Sequence, residues 1–128
     1  MKPVSENVIL IVEDDSAIRT SLAMILEFEG FETRVAENGL DGLHVLETEK
    51  TLPSLIILDI MMPIMDGWEF REAQKEHPDA AGVPVVVMTA DIHAFEKATK
   101  MGAQGFIQKP LNVDHLIKTV SKFAKASH

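Results

Sequence analysis

Asp59 follows the run Leu55-Ile56-Ile57-Leu58 and precedes Ile60-Met61-Met62-Pro63-Ile64-Met65-Asp66-Gly67, a segment carrying a proline and a glycine. A carboxylate set directly after four apolar residues is costly to desolvate unless it is paired, metal-bound or exposed at a rim. The chain supplies partners of both signs, each at the end of another apolar run. Glu13-Asp14-Asp15 ends Val8-Ile9-Leu10-Ile11-Val12, Thr89 ends Val85-Val86-Val87-Met88, and Lys109 closes Gly105-Phe106-Ile107-Gln108. Brought together, Glu13, Asp14 and Asp59 would repel and raise one another's pKa unless a cation sat between them. Mg²⁺, a hard oxygen-seeking ion, suits two or three carboxylates plus water, and no His or Cys cluster offers a site to a softer metal. With Mg²⁺, the Lys109 ammonium and the Thr89 hydroxyl would hold the oxygens of a transferring phosphoryl group. Asp59, central in the group, is the carboxylate placed to attack phosphorus and form an acyl phosphate.

These residues meet only if the strands that end in them lie side by side. Runs of branched aliphatics bounded by turn residues predict strands buried on both faces of a parallel sheet, and such sheets place their chemistry at the carboxyl ends of the strands. The first strand is expected over Val8–Val12, capped by Asp15 or Ser16 into a helix with Ile18, Leu22, Ile25 and Leu26 at helical spacing and Gly30 as its stop. Phe31–Ala36 is expected as a short strand, and Glu37-Asn38-Gly39 turns into a helix marked by Leu40, Leu43 and Leu46. Pro53 and Ser54 read as the connection into the Asp59 strand, and a third helix with Trp68, Phe70 and Ala73 ends before His77-Pro78. The strand Val85–Met88 leads to a helix over Ala94–Met101 that stops at Gly102, and the strand Gly105–Gln108 leads to a last helix begun by Asn112 or Asp114. That helix carries Val113, Leu116, Ile117 and Val120, with Lys118, Lys122 and Lys125 toward its end, the side that favours cations. Alternating strands and helices imply right-handed crossovers, a parallel sheet and helices on both faces: a doubly wound α/β fold.

The chain has 128 residues, one domain by length, and can bury roughly two-thirds of the surface it exposes when unfolded. Hydrophobic residues at 46% and charged ones at 25% are those of an ordinary globular protein. A formal charge of −8 disfavours nonspecific contact with nucleic-acid backbones. There is no cysteine, hence no disulfide and no thiolate metal site. The opening Met1-Lys2-Pro3-Val4-Ser5-Glu6-Asn7 lacks the apolar core of a targeting segment, and no apolar stretch is long enough to span a bilayer, so a cytoplasmic protein is expected.

The acidic stretch Glu13-Asp14-Asp15, the segment from Asp59 through Met62-Pro63 to Asp66-Gly67, Thr89-Ala90 and Lys109-Pro110 together resemble the receiver domain of two-component response regulators. The resemblance runs over essentially the whole chain, in order and spacing. It implies a flavodoxin-like five-stranded sheet in the order 2-1-3-4-5 and a single receiver domain over residues 1–128; no output domain is expected after the fifth helix, whether the natural protein is single-domain or the chain is an excised domain. It implies that Asp59 is the phosphoacceptor, that Asp14 and Asp59 bind Mg²⁺ directly with the Met61 backbone carbonyl, and that Glu13 does so through water. Thr89 and Lys109 would contact the phosphoryl group, the Lys109-Pro110 bond would be cis, and Phe106 would hold the place of the family's switch aromatic. A histidine kinase or histidine phosphotransfer protein is the implied phosphodonor, and a downstream protein the target, with no direct nucleic-acid or membrane contact. The domain would act as a monomer or a phosphorylation-dependent dimer. It would catalyse its own phosphorylation and, slowly, its hydrolysis, at a rate tuned partly by Met61 and Asp91.

Two other classes are weighed against this. An aspartate-nucleophile phosphatase of the dehalogenase-like kind wants a second aspartate two residues after the nucleophile, where this chain has Met61. A degenerate receiver that binds partners without phosphate would have no need of all five of the acidic, threonine and lysine set. Judged by type alone, Phe106 and Trp68 are packing residues. His44, His77, His93, His115 and His128 are scattered and receive no role.

Overall fold

The computed structural model describes residues 2–62 and 64–127; Pro63 of the expected loop and His128 lie outside the described residues. The elements are β1 (Val4–Val12), α1 (Ser16–Phe28), β2 (Glu32–Ala36), α2 (Gly39–Thr48), β3 (Leu52–Asp59), α3 (Gly67–Glu76), β4 (Val85–Thr89), α4 (Ala94–Lys100), β5 (Gly105–Gln108) and α5 (Val113–Val120). All strand pairs are parallel and the sheet order is β2-β1-β3-β4-β5, the expected doubly wound arrangement. No helix among the described residues is long and apolar enough to cross a membrane.

Strand alternation divides the core into two layers. Ile9, Ile11, Leu55, Ile57, Val86, Met88 and Ile107 point to one face, where Leu22 and Leu26 of α1 and Leu116 and Val120 of α5 cover them. Leu10, Val12, Ile56, Leu58, Val85 and Val87 point to the other, under Leu46 of α2, Phe70 of α3 and Ala98 of α4. Residues of both sets are buried, as near-continuous apolar strands require.

Helix ends are set by local chemistry. Asp15 caps α1 by accepting the Ile18 N–H at 3.0 Å, and Asn112, rather than Asp114, caps α5 through the His115 N–H at 3.0 Å. At the far end of α1 the Gly30 N–H returns to Glu27 O and the Phe31 N–H to Leu26 O, with Gly30 at φ 100°. This closure of the last turn uses a left-handed residue that glycine adopts without strain.

Four boundaries differ from expectation. β1 begins at Val4, not Val8, because Val4 and Ser5 pair with Leu52 and Pro53 before a register shift ahead of Ile9; the polar Ser5-Glu6-Asn7 hides this extension in the sequence. Pro53 and Ser54 belong to β3 and not to its approach. A proline is tolerated there because β3 pairs with β4 only from Ile56 onward, so the missing N–H deprives no neighbour. β2 starts at Glu32, since the Phe31 amide is spent on closing α1. Finally, α5 ends at Val120, so only Lys118 lies in its last turn; Lys122 and Lys125 are on a following segment whose Lys125 N–H donates to Glu6 O at 2.9 Å.

Ile64, in the loop after β3, has φ 69°, the one positive φ among described residues other than glycine. A β-branched side chain is strained there, at a cost of about 1–2 kcal/mol, and Ile64 is 72% exposed, so little packing offsets it. Ile64→Gly is expected to raise stability by about 1 kcal/mol, read as a higher urea midpoint at unchanged slope. An unchanged or lower midpoint would mean that the loop is not strained.

Candidate functional site

The ends of β1, β3, β4 and β5 frame a cleft of about 330 Å³ that includes Glu13, Asp14, Asp59, Met61, Thr89 and Lys109, so every side chain singled out in the sequence except Phe106 borders one space. A larger groove of about 400 Å³ lies by the starts of β1 and β3, lined by Leu52, Pro53, Val83 and Pro84 together with Glu6 and Asp79, and the carboxylate cluster found among the described residues lies outside it.

Asp59 is the last residue of β3, in register with Met88 of β4, and is only 3% exposed. Its Oδ1 accepts the Met61 N–H at 3.2 Å, and its Oδ2 lies 3.5 Å from Lys109 Nζ. Lys109 Nζ sits closer to Glu13 Oε1, at 2.8 Å. Glu13 is fully buried, and its Oε1 has no hydrogen-bond partner among the described residues, which leaves the Lys109 ammonium as an ionic contact. Its Oε2 accepts the Asp15 N–H at 3.3 Å. Asp14 is exposed at the mouth, and oxygens of Glu13, Asp14 and Asp59 lie within 4.8 Å of one another.

One lysine does not neutralise this cluster. Burial, followed by the adjoining Glu13 carboxyl, pushes Asp59 up to about 8, against the smaller opposite pull of Lys109 and the Met61 amide. Burial works against the Lys109 charge, yet Glu13 and Asp59 outweigh it and hold the ammonium above the usual lysine value. An all-oxygen donor set in which three carboxyl groups converge on one ammonium, with Asp59 driven upward by burial and by Glu13, is short of positive charge. It fits a hard divalent cation such as Mg²⁺.

Thr89 is buried at the end of β4, and its hydroxyl accepts the Asp91 N–H at 3.1 Å. The Lys109-Pro110 bond is cis, as the resemblance implied. Phe106 lies off the cleft, half-buried, its ring 5.1 Å from that of Phe95. Asp66 is spent on a reciprocal cap with Glu69 that starts α3.

Sequence reading missed Arg19, whose Nη1 donates to Glu13 O at 2.8 Å and ties α1 to the acidic turn. Its place one helical turn after Asp15 was the available signal. His115 and His77 also take part in local bonds: His115 Nε2 is 3.2 Å from Phe106 O, and His77 Nδ1 accepts the Ala80 N–H.

The sheet order and the acidic crevice at its carboxyl edge define a doubly wound α/β module with a carboxylate cluster at its strand ends. Residues 9–121 match the model of the response regulator receiver domain, and the chain belongs to that family. It is 33% identical over 128 residues to an uncharacterised 14.6 kDa protein of Leptolyngbya boryana, covering 98% of this chain and 96% of that one. It is 37% identical over 115 residues to the transcriptional regulatory protein GlrR of Escherichia coli, covering 88% of this chain and a quarter (25%) of that protein. In structure it is similar to the chemotaxis protein CheY4 of Vibrio cholerae, with a TM-score of 0.83 and 26% identity over 93% of this chain and 99% of that one. The cluster of Glu13, Asp14 and Asp59 is of the kind that holds Mg²⁺ in receiver domains.

Proposed function

We propose that the chain accepts a phosphoryl group on Asp59 from a phosphohistidine donor, a histidine kinase or histidine phosphotransfer protein of the cytoplasm, and signals through altered protein binding. The observation that carries this is the buried Asp59–Lys109–Glu13 cluster at the carboxyl edge of the sheet. An Asp59 oxygen forms the new bond to phosphorus as the donor's phosphorus–nitrogen bond breaks and its imidazole leaves, giving an acyl phosphate. Asp14 and Asp59 with the Met61 carbonyl would hold Mg²⁺ directly, and Glu13 through water. When bound, the ion supplies positive charge that offsets repulsion between carboxylates and phosphoryl oxygens.

The chain's own groups do the rest. Lys109, fixed by Glu13, presents its ammonium beside Asp59 where the oxygens of the incoming group arrive. Burial of Asp59 keeps bulk water away from the acyl phosphate. The Thr89 hydroxyl, now bonded by the Asp91 amide, can reach a phosphoryl oxygen only if its loop moves inward. That inward step vacates space beside β4, and Phe106 can turn into it and alter the face formed by α4, β5 and α5. The added charge of about −1.5 to −2 shifts an existing equilibrium through contacts made in one state only.

Intact-mass measurement with acetyl phosphate tests the reading. A single Mg²⁺-dependent phosphoryl adduct is expected, and absence of any adduct in a folded, Mg²⁺-binding protein would sink it. Lys109→Ala is expected to uncouple the switch more than it prevents phosphorylation, because Asp59 keeps its nucleophilic oxygen while the phosphoryl group loses its cation. Phospho-dependent amide shifts in β5 and α4 should then largely vanish in NMR spectra of the adduct; shifts as large as wild type would refute the assignment.

A further inference from the structure

Helix α4 is held by different means at its two ends. Its C-terminal end is fastened by Arg71 of α3, which is 6% exposed. The guanidinium donates from Nε to Met101 O at 3.2 Å and from Nη2 to Gly102 O at 3.3 Å, so it meets the carbonyls at the negative end of the helix dipole. Its third bond, from Nη1 to Gln74 Oε1 at 2.8 Å, fixes the fork, and Gln74 is itself anchored by Nε2 to Ala80 O and Val83 O. Gly102, at φ 84°, closes the turn with its backbone against this fork.

The N-terminal half is hydrogen-bonded to its own approach loop, where Asp91 Oδ1 accepts the His93 N–H at 2.9 Å and Asp91 O the Ala94 N–H at 3.1 Å. That loop hangs in turn on the Thr89 hydroxyl. His93 makes no side-chain capping bond, and Phe95 rests on the half-buried ring of Phe106, 5.1 Å away and tilted by 43°. Between the two ends, Lys97 Nζ lies 4.5 Å over the Trp68 ring of α3. Charged hydrogen bonds to buried carbonyls are directional and costly to break, whereas an aromatic contact re-forms in many geometries. A displacement of Phe106 therefore frees one end of α4 and not the other.

We propose that Arg71 is a positioning residue that serves as the pivot of α4: phosphorylation swings the N-terminal half of the helix about a C-terminal end that Arg71 keeps in place. This rests on Asp59 being the phosphoacceptor. The pivot converts a small rotation of Phe106 into the largest movement at Ile92–Phe95, next to the Thr89 loop, and carries Lys97 across the face of Trp68, so Trp68 emission reports the swing.

Residue-resolved hydrogen exchange under excess acetyl phosphate and Mg²⁺, on wild type and Arg71→Met, tests this, with intact mass read on the same samples. In wild type, phosphorylation should alter exchange at residues 94–97 by roughly tenfold and at 99–103 by less than about twofold. In Arg71→Met, residues 99–103 should also respond, by roughly tenfold, the scale of a lost charged hydrogen bond. Arg71→Lys, which keeps the charge and loses the fork, should respond to a smaller extent, and it stands in for the methionine variant if that variant does not fold. A uniform response along α4 in wild type, or equal responses in variant and wild type, overturns the pivot while the adduct keeps the phosphoacceptor reading intact. Absence of an adduct overturns that reading, and the pivot with it.

Discussion

Asp59→Asn is expected to abolish phosphoryl uptake and to make the metal-free protein more stable at pH 8 than the wild type. The first effect follows from chemistry: asparagine keeps the shape and its oxygen is no longer an anionic nucleophile. The second follows from burial. Asp59 binds its proton with a pKa of about 8 in the folded protein, against roughly 3.9 in an unfolded chain. Between these values the folded state holds a proton that the unfolded state releases, so stability falls as pH rises from about 4 to about 8, and then levels off. Asparagine has no charge to desolvate and can still bond to Glu13. Urea unfolding in EDTA should show mutant and wild type nearly alike at pH 4 and increasingly apart toward pH 8. Saturating Mg²⁺ should close much of the gap, since it stabilises only the folded wild type with its carboxylate ionised. A gap that stays constant with pH would mean that Asp59 is not the strained group, and an adduct on the mutant at the native rate would remove it as the acceptor.

Gly67→Ala is expected to lower stability by about 1–3 kcal/mol. A Cβ there would lie 2.8 Å from Asp59 O, 2.8 Å from Ile60 Cα and 2.9 Å from Ile60 Cδ1. The first two are backbone atoms of the segment that carries Asp59, so relief requires the strand end itself to move. Overpacking of this kind costs about 1–3 kcal/mol, more than the roughly 1 kcal/mol that alanine gains over glycine in a helix. The Gly67 N–H also donates to Ile60 O at 3.0 Å, a bond the displaced helix start would lose. Phosphorylation by acetyl phosphate should slow along with the loss of stability. Gly82→Ala is the control: nothing lies within 4 Å of its Cβ, and alanine there should be neutral or stabilising by up to about 1 kcal/mol. Equal effects of the two substitutions would mean that the close approach at Gly67 is soft.

The site was legible because its residues end apolar runs, and parallel strands bring such ends together whatever lies between them. Glu13, Asp59, Thr89 and Lys109 could therefore be grouped from the sequence, and the cap at Asp15 and the stop at Gly30 followed from residue type. What stayed hidden depended on long-range pairing. The lip formed by Val4–Ser5 with Leu52–Pro53 is polar or proline-bearing on its own, and only the partner strand makes it sheet. Arg71 reads as a surface cation on a polar helix until the end of α4 is laid over it. The Thr89 hydroxyl could be placed in the cleft by order and spacing, but its bond to the Asp91 amide belongs to the loop geometry.

The alternation of the strands assigns the site's groups to opposite sides of a partition. By parity with Ile11, Ile57 and Ile107, the side chains of Glu13, Asp59 and Lys109 continue the rows that face α1 and α5. Thr89 continues the row of Val85 and Val87, and Phe106 packs with that same second layer, beneath α3 and α4. The sheet is thus a wall with the charge-handling groups on one side and the responding groups on the other, and its packed interior has no door. On the proposed function, news of a charge arriving at Asp59 has to go over the top, at the rim where the strands stop, and Thr89, which ends β4 in the row of the second layer, stands on that rim.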